Sequence, residues 1–382
     1  MNKNKLKLEK ICTFFNGRIK PNSKGKIPVY GGNGIISYTD QYNADNILVI
    51  GRVGAYCGNA FYSRNKCWVS DNAIGIILNE NVSNIKYIFY FLGKMNIRNL
   101  AIGSSQPLIT QDILKNIEID LPSLEEQKRI ADILTALDDK IELNNQMNQT
   151  FEEIASLLYK RWFIDFEFPD DKGNPYKSSG GEMVDSELGM IPKGWEVKKI
   201  FEISNVGIGK TPPRKEQGWF SNSKGVNWFS IKDMGNIKSP YIFHSSERLS
   251  KRAIDQFNVK IVPKNTVILS FKLTIGRVAI TTMDSVTNEA IAQFQILNEN
   301  VTTEYMYLYF KNLNFMNFGS TSSIATAINS QIIKSIPVIV PIGTINREFS
   351  NILIRYFKMM KENSIESDKL NKIRELLLIE LI

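Results

Sequence analysis

Two stretches of the chain place apolar residues at alternating intervals of four and three. The first runs Ile130, Leu134, Leu137, Ile141, Asn144, Asn148, Phe151, Ala155, Leu158 and Trp162. The second runs Phe349, Leu353, Tyr356, Met360, Asn363, Ser367, Leu370, Arg374, Leu377 and Leu381, every member 219 residues after its counterpart. This spacing is a heptad seam and predicts two long amphipathic helices. Neither stretch contains proline or glycine after its start, and at 1.5 Å per residue each makes a rod of about 60 Å. Both seams turn polar at the middle, at Asn144 and Asn148 and at Asn363 and Ser367. Laid antiparallel, Asn144 faces Ser367 and Asn148 faces Asn363. Buried polar seam positions cost stability but fix register and direction, so the matched layers predict that the helices pair with each other. The alternative is two separate helices, each covering its own domain.

The rest of the chain is duplicated too. LNENV occurs at Leu78–Val82 and again at Leu297–Val301, and Gly103–Pro122 faces Gly319–Pro341. LEKI at Leu8 faces VKKI at Val197, an interval of only 189, so the second copy is about 30 residues longer, around Gly209–Met234. Each copy reads as short β-rich runs (KIPVY, NILVIG, AIGIIL; NTVILS, GRVAIT, AQFQIL), a helix, a Gly-Ser loop, a short helix and an apolar strand ending in proline. The expected fold is α+β: two similar mixed α/β modules joined by two long helices in an antiparallel coiled coil. The expected boundaries are a first module at 1–122, a long helix at 123–163, an acidic linker at 164–195, a second module at 196–341 and a closing helix at 342–382. A paired duplicate of this kind implies a pseudo-two-fold axis, and brings Met1 near Ile382.

Charge points to a polyanion. The 382 residues hold 47 Lys+Arg against 39 Asp+Glu, a net of +8. Ile164–Met190 contributes −5, leaving +13 on the remainder. Cys12, Cys57 and Cys67 form no C-x-x-C pair, which fits a reducing cytoplasm. The single histidine, His244, is read as a loop residue, so paired-histidine zinc chemistry is excluded. The opening MNKNKLKLEK has no apolar core, so it is not a signal peptide, and no apolar run is long enough to span a membrane. Val206–Pro212 resembles a phosphate loop, but Ser204 stands where glycine is required and prolines follow. Pro169-Asp170 with Glu196-x-Lys198 is a loose nuclease pattern, and Asn174-Pro175-Tyr176 lacks the second proline of a methyltransferase motif. No catalytic or metal-ligating residue is assigned. The rival readings are a self-contained nuclease and a protein-binding spacer.

LPSLEEQKRIADILTALDDKIELNNQMNQTFEEIASLLYKRWFIDFEF, Leu121–Phe168, resembles the central conserved region of type I restriction–modification specificity subunits. ELGMIPKGWEV, Glu187–Val197, resembles the family's junction into a second target recognition domain, and GKTPPRKEQGWF with VNWFSIKDM resembles the opening of that domain. The resemblance spans essentially the whole chain. It implies a non-catalytic, cytoplasmic subunit in which each recognition domain reads one half of a bipartite, asymmetric site on double-stranded DNA. It implies two methyltransferase subunits and further restriction/translocase subunits as partners. S-adenosylmethionine, ATP and magnesium belong to those partners, and no cofactor to this chain. The sequence departs from the family in having TINREF where the first copy has LEEQKR, and NGRIKPNSKGKIPVYGG in place of a GKTP-type opening.

Base edges are read by Arg, Lys, Asn and Gln, and phosphates are held by Lys, Arg, Ser and Thr. The candidates in the first copy are Arg18, Lys20, Lys24, Lys26, Tyr30, Tyr38, Arg52, Tyr56, Ser104, Ser105 and Gln106. In the second they are Lys210, Thr211, Arg214, Lys215, Trp219, Lys232, Lys272, Arg277, Ser320, Thr321 and Ser322. Partner docking is expected at Leu157, Trp162 and Phe163 and, in the equivalent place, at Leu376, Ile379 and Ile382, with Ile133, Ile154, Ile352 and Phe357 as a second stripe.

Overall fold

The computed structural model describes residues 5–103, 106–215, 218–318 and 329–382. They form two compact units, residues 1–141 with 368–382, and residues 142–367. The boundaries fall inside the two long helices, Leu124–Tyr159 and Gly343–Leu381, so each unit owns a piece of both. Met1 lies outside the described residues, and with it the expectation about the termini.

In the first unit, Cys12–Asn16, Ala73–Leu78, Ile47–Gly51 and Ala60–Ser63 make an antiparallel sheet in that order. Gly34–Thr39, Ile27–Gly31 and Trp68–Val69 make a second, smaller sheet whose last pair is parallel. The fully buried strand Ile47–Gly51 (ILVIG) feeds both faces: Leu48 and Ile50 enter one core, Ile47 and Val49 the other. This is the two-residue period of a strand covered on both sides. Helix Ile85–Lys94 closes the larger core, capped by Asn84, whose side chain accepts from the amides of Lys86 and Tyr87.

The second unit repeats this order. Ser204–Ile208, Ile291–Ile296, Val267–Ser270 and Val278–Thr281 are the matching strands, with Tyr241–Ile242 added in parallel at the edge. Helix Thr303–Asn312 takes the place of Ile85–Lys94 and is capped by Thr302. One cross-strand pair is filled in opposite ways in the two units. Phe15 lies opposite Gly75 in the first unit, and Gly207 lies opposite Gln293 in the second. A Cβ on Gly75 would lie 2.3 Å from the Phe15 ring, and one on Gly207 2.4 Å from the Gln293 amide oxygen. The bulk has changed strands while the pair has kept one large and one small member. In the second unit's smaller sheet Val226–Phe229 pairs antiparallel with Glu247–Leu249 and parallel with Val286–Thr287, as in the first unit, and the extra length adds one further strand, Phe220–Ser221, beyond Glu247–Leu249.

Within each unit the helices run antiparallel. In the second, Asn144 Nδ2 donates to Ser367 Oγ at 3.3 Å and to Glu366 Oε2 at 2.8 Å. Asn363 Nδ2 donates to Asn148 Oδ1 at 3.1 Å, and Asn148 Nδ2 to Ser364 Oγ at 3.2 Å. Further along, Tyr159 meets Phe349. In the first unit Arg374 Nη1 donates to Asp138 at 2.6 Å, and Tyr90 donates its hydroxyl to the same carboxylate at 2.6 Å. The polar layer joins the pairs named from the seam. A shift of one helix by a heptad would strand these buried amides without partners, which costs about 1–3 kcal/mol each.

The segment read as an acidic linker is not a free tether. Phe166, Phe168, Ile191 and Trp195 are buried in the second unit's core, and Met183–Ser186 pairs with Gly189–Pro192 as a hairpin. The aromatic residues outweigh the acids, which stay on the outer face. That core holds Tyr159, Tyr305, Tyr307 and Tyr309, whose hydroxyls burial pushes well above the ordinary phenol value of 10.0. A raised folded-state value means that stability is intact below about pH 10, where the unfolded phenols are still neutral, and falls as pH climbs beyond it. Alkaline titration of the chain is therefore expected to show these tyrosinates only together with loss of near-UV dichroism. Their ionisation in the still-folded protein would contradict the burial.

Candidate nucleic-acid interface

Three loops of the first unit meet at one edge. The turn Gly31–Gly34 lies against Gly51, where a Cβ would stand 2.3 Å from the Gly32 carbonyl oxygen. The loop Gly51–Gly58 crosses the segment 102–109: Val53 bridges Leu108, Gly54 N–H donates to Pro107 O, and Ile109 N–H donates to Arg52 O at 2.9 Å. The sequence-selected Arg52, Tyr56 and Gln106 therefore stand on neighbouring loops. Tyr56 and Gln106 are exposed. Arg52 is half-buried, and its Nε is enclosed without an acceptor. Arg18, Lys20, Lys24 and Lys26 are exposed along the loop that precedes Ile27–Gly31. The backbone of Arg18 is fixed by its own N–H to Val69 O and by Trp68 Nε1 to its carbonyl oxygen. Tyr38 is exposed, but Tyr30 is a core residue in ring contact with Phe61, which corrects its selection as a surface contact. Ser104 and Ser105 lie outside the described residues.

The second unit commits more of its selected residues to its own fold. Arg214 makes a two-pronged ion pair with Glu247 at 2.8 Å, and its guanidinium stacks 4.4 Å from the Phe220 ring centre and 5.1 Å from that of Trp228. The bonded guanidinium holds the Glu247 carboxyl below its ordinary range. Lys210 Nζ donates to Phe257 O at 2.7 Å, and Thr211 donates to Glu289. Trp219 is buried against Phe257 and Leu249. Arg277 Nη1 donates to Ile231 O at 2.6 Å. These residues brace the enlarged sheet, so the GKTPPR segment is in large part architectural, a correction of its reading as a contact loop. Lys215, Lys232 and Lys272 are exposed, and Ser320, Thr321 and Ser322 lie outside the described residues.

The docking residues divide in the same way. Trp162 and Phe163 are 5% and 2% exposed and pack on Phe349 and Tyr305. They correct the expected patch. A π-turn at Lys160–Ile164, closed by Asp165 N–H to Lys160 O, widens the helix end, and both the seam residue Trp162 and its neighbour Phe163 are buried there. Ile382 and the seam residues Leu377 and Leu381 pack on the first unit's core, and Phe357 is buried. Leu157, Leu376 and Ile379 remain 68%, 62% and 70% exposed.

Sequence reasoning missed a matched pair of amides. Gln127, fully buried, donates to Val82 O at 3.1 Å and Pro122 O at 2.9 Å and accepts from Asn84 N–H at 2.8 Å. In the second unit Asn346 donates to Asn300 O at 2.6 Å. Each amide locks the start of a long helix to the loop ahead of the short helix. The only available signal was their shared 219-residue interval.

Comparison with known proteins places this chain in context. The family model described as a type I restriction modification DNA specificity domain matches residues 2–153 and again 192–375. The HindI type I restriction enzyme specificity subunit of Haemophilus influenzae is 27% identical over 328 residues, covering 72% of this chain and 70% of that protein. The MjaIX specificity subunit of Methanocaldococcus jannaschii is 28% identical over 308 residues, covering 78% and 68%. A crystal structure of the type I system S subunit from M. genitalium superposes with a TM-score of 0.62 at 15% identity over 100% of this chain and 96% of that one, a likeness of fold.

Proposed function

This chain belongs to the type I restriction–modification DNA specificity family, and from that premise we infer that it is the non-catalytic subunit through which such a complex selects its DNA sites. The observation that carries this reading is the duplication. Two units share one order of strands and helices, and the family match covers both. Each unit reads one half of a bipartite site. The units differ in their loops, so the halves differ in sequence. The long helices, with their register fixed by the asparagine layer, are the element proposed to set the spacing between the two half-sites.

In the first unit Arg52, Tyr56 and Gln106 are the proposed base readers. Arginine suits guanine and glutamine suits adenine in the major groove. Arg18, Lys20, Lys24 and Lys26, with Lys215, Lys232 and Lys272 in the second unit, are proposed to sit on phosphates. Two methyltransferase subunits dock on the exposed leucine and isoleucine positions, and the restriction/translocase subunits join that assembly. S-adenosylmethionine, ATP and magnesium act in those partners.

The test is to express the chain with its methyltransferase partner and map methylated adenines across the genome. The expected pattern is one bipartite motif with an unread spacer of fixed length. Affinity of the complex for that duplex should fall by roughly a thousandfold or more between about 50 and 200 mM salt, because phosphate contacts release counterions. A complex that ignores salt and marks no motif would favour the protein-binding spacer. Cleavage of DNA by the purified chain with magnesium alone would favour the nuclease.

A further inference from the structure

The loop between Val267–Ser270 and Val278–Thr281 occupies the place that Gly51–Gly58 holds in the first unit. Both loops use the left-handed backbone region at the same two points. The first unit places glycines there, Gly54 at φ +84 and Gly58 at φ +88. The second unit has Gly276 at φ +90, but at the other point it has Leu273 at φ +62. Glycine enters this region without penalty, whereas a leucine Cβ crowds the neighbouring carbonyl oxygen. Leucine here is a strained choice where the sister loop shows that glycine serves the turn.

Among the described residues the side chain finds nothing to offset this. Leu273 is 96% exposed, the most exposed large apolar residue among those described. Its loop is nevertheless firmly held. Ser270, fully buried, accepts at its Oγ from Arg277 N–H at 3.0 Å and donates to Thr274 O at 2.5 Å. Gly276 N–H donates to Ser270 O, and Arg277 anchors the loop to Ile231 O. A braced loop therefore lifts one apolar side chain into solvent between exposed Lys272 and exposed Thr274. Backbone strain kept at a rigid, exposed position argues for a contact made outside the chain.

We propose that Leu273 is a specificity-determining residue of the second reader, packing on the 5-methyl group of a thymine in its half-site while Lys272 holds the adjacent phosphate. The thymine methyl is the one apolar group that base edges present in the major groove. The proposal rests on the reading of the second unit as a DNA reader.

The test uses the complex with its methyltransferase partner and the duplex mapped by methylation. Wild-type complex must first bind that duplex with the steep salt dependence above; failure at this step counts against the DNA reading, not against Leu273. Leu273→Gly relieves the backbone, so its thermal stability should equal or exceed that of the parent. Its affinity should nevertheless fall by roughly tenfold or more, as expected for loss of a leucine-sized apolar contact. Leu273→Asn, which tolerates the left-handed turn without an apolar group, should behave the same way and so excludes loop loosening as the cause. Replacing one thymine of the second half-site by uracil should weaken the wild-type complex and leave both variants unaffected. Unchanged affinity in the variants, or a loss that couples to no thymine, overturns the proposal.

Discussion

Phe163→Ala is expected to destabilise the second unit by about 3–5 kcal/mol, whereas Leu157→Gln should change stability by no more than about 0.5 kcal/mol. Both residues lie at the end of the first long helix, and by hydrophobicity alone both belong to one patch. Phe163 meets Tyr305, Phe349 and Trp195 edge-on or tilted, with ring centres 4.9, 4.7 and 5.7 Å away. Truncation leaves a large hole among rigid rings that cannot collapse. Leu157 loses only a solvated side chain, and glutamine keeps the helix. The functional readout should invert this order. Leu157→Gln, combined with Leu376→Gln and Ile379→Gln, should weaken capture of the methyltransferase subunit while the chain stays folded. Denaturant titration gives the first comparison and co-purification the second. Undiminished capture by the triple variant would remove these positions from the docking surface. Removing Leu376–Ile382 outright is a poorer experiment, because Leu377, Leu378 and Leu381 pack on the first unit's core and the deletion would unfold what it is meant to probe.

Arg52→Ala or Gln106→Ala should relax recognition in one half-site and leave the other untouched. Each bidentate base contact carries about 1–3 kcal/mol of discrimination, so preference at one base pair should drop by roughly fivefold to a hundredfold. Lys272→Ala, by contrast, should weaken binding evenly across sequences and flatten the salt slope by about one. Sequencing of methylated sites in cells carrying each variant separates these outcomes. Equal weakening of both half-sites by Arg52→Ala would mean that the two units do not read independently.

Local sequence determined much of this protein. The four-three spacing alone gave both long helices, ending within a few residues of where they end in the structure, and a shared interval of 219 residues tied the later elements of one copy to their twins. The strands AIGIIL and ILVIG could be read directly, because a run buried on both faces is apolar throughout. Asn144, Asn148, Asn363 and Ser367 were legible because a polar residue on an apolar seam is conspicuous, and their spacing carries the register.

Tertiary structure decided which side chains are available. Arg214, Lys210 and Arg277 have the composition of DNA contacts, yet each finds a carboxylate or carbonyl within its own unit. Those partners lie far along the chain, such as Glu247 for Arg214, so no local pattern announces them. Trp162 is buried where its seam position puts it, but Phe163 is buried beside it at a π-turn, a backbone event that periodicity does not encode. Leu273 escaped notice for the converse reason. Leucine is a core residue by type, and only backbone angle, exposure and comparison with Gly54 reveal it as a side chain held out of the core. Sequence fixes what each segment can form, since helix and strand periods are local. Whether a given polar or apolar group is satisfied internally depends on neighbours that only the folded chain supplies.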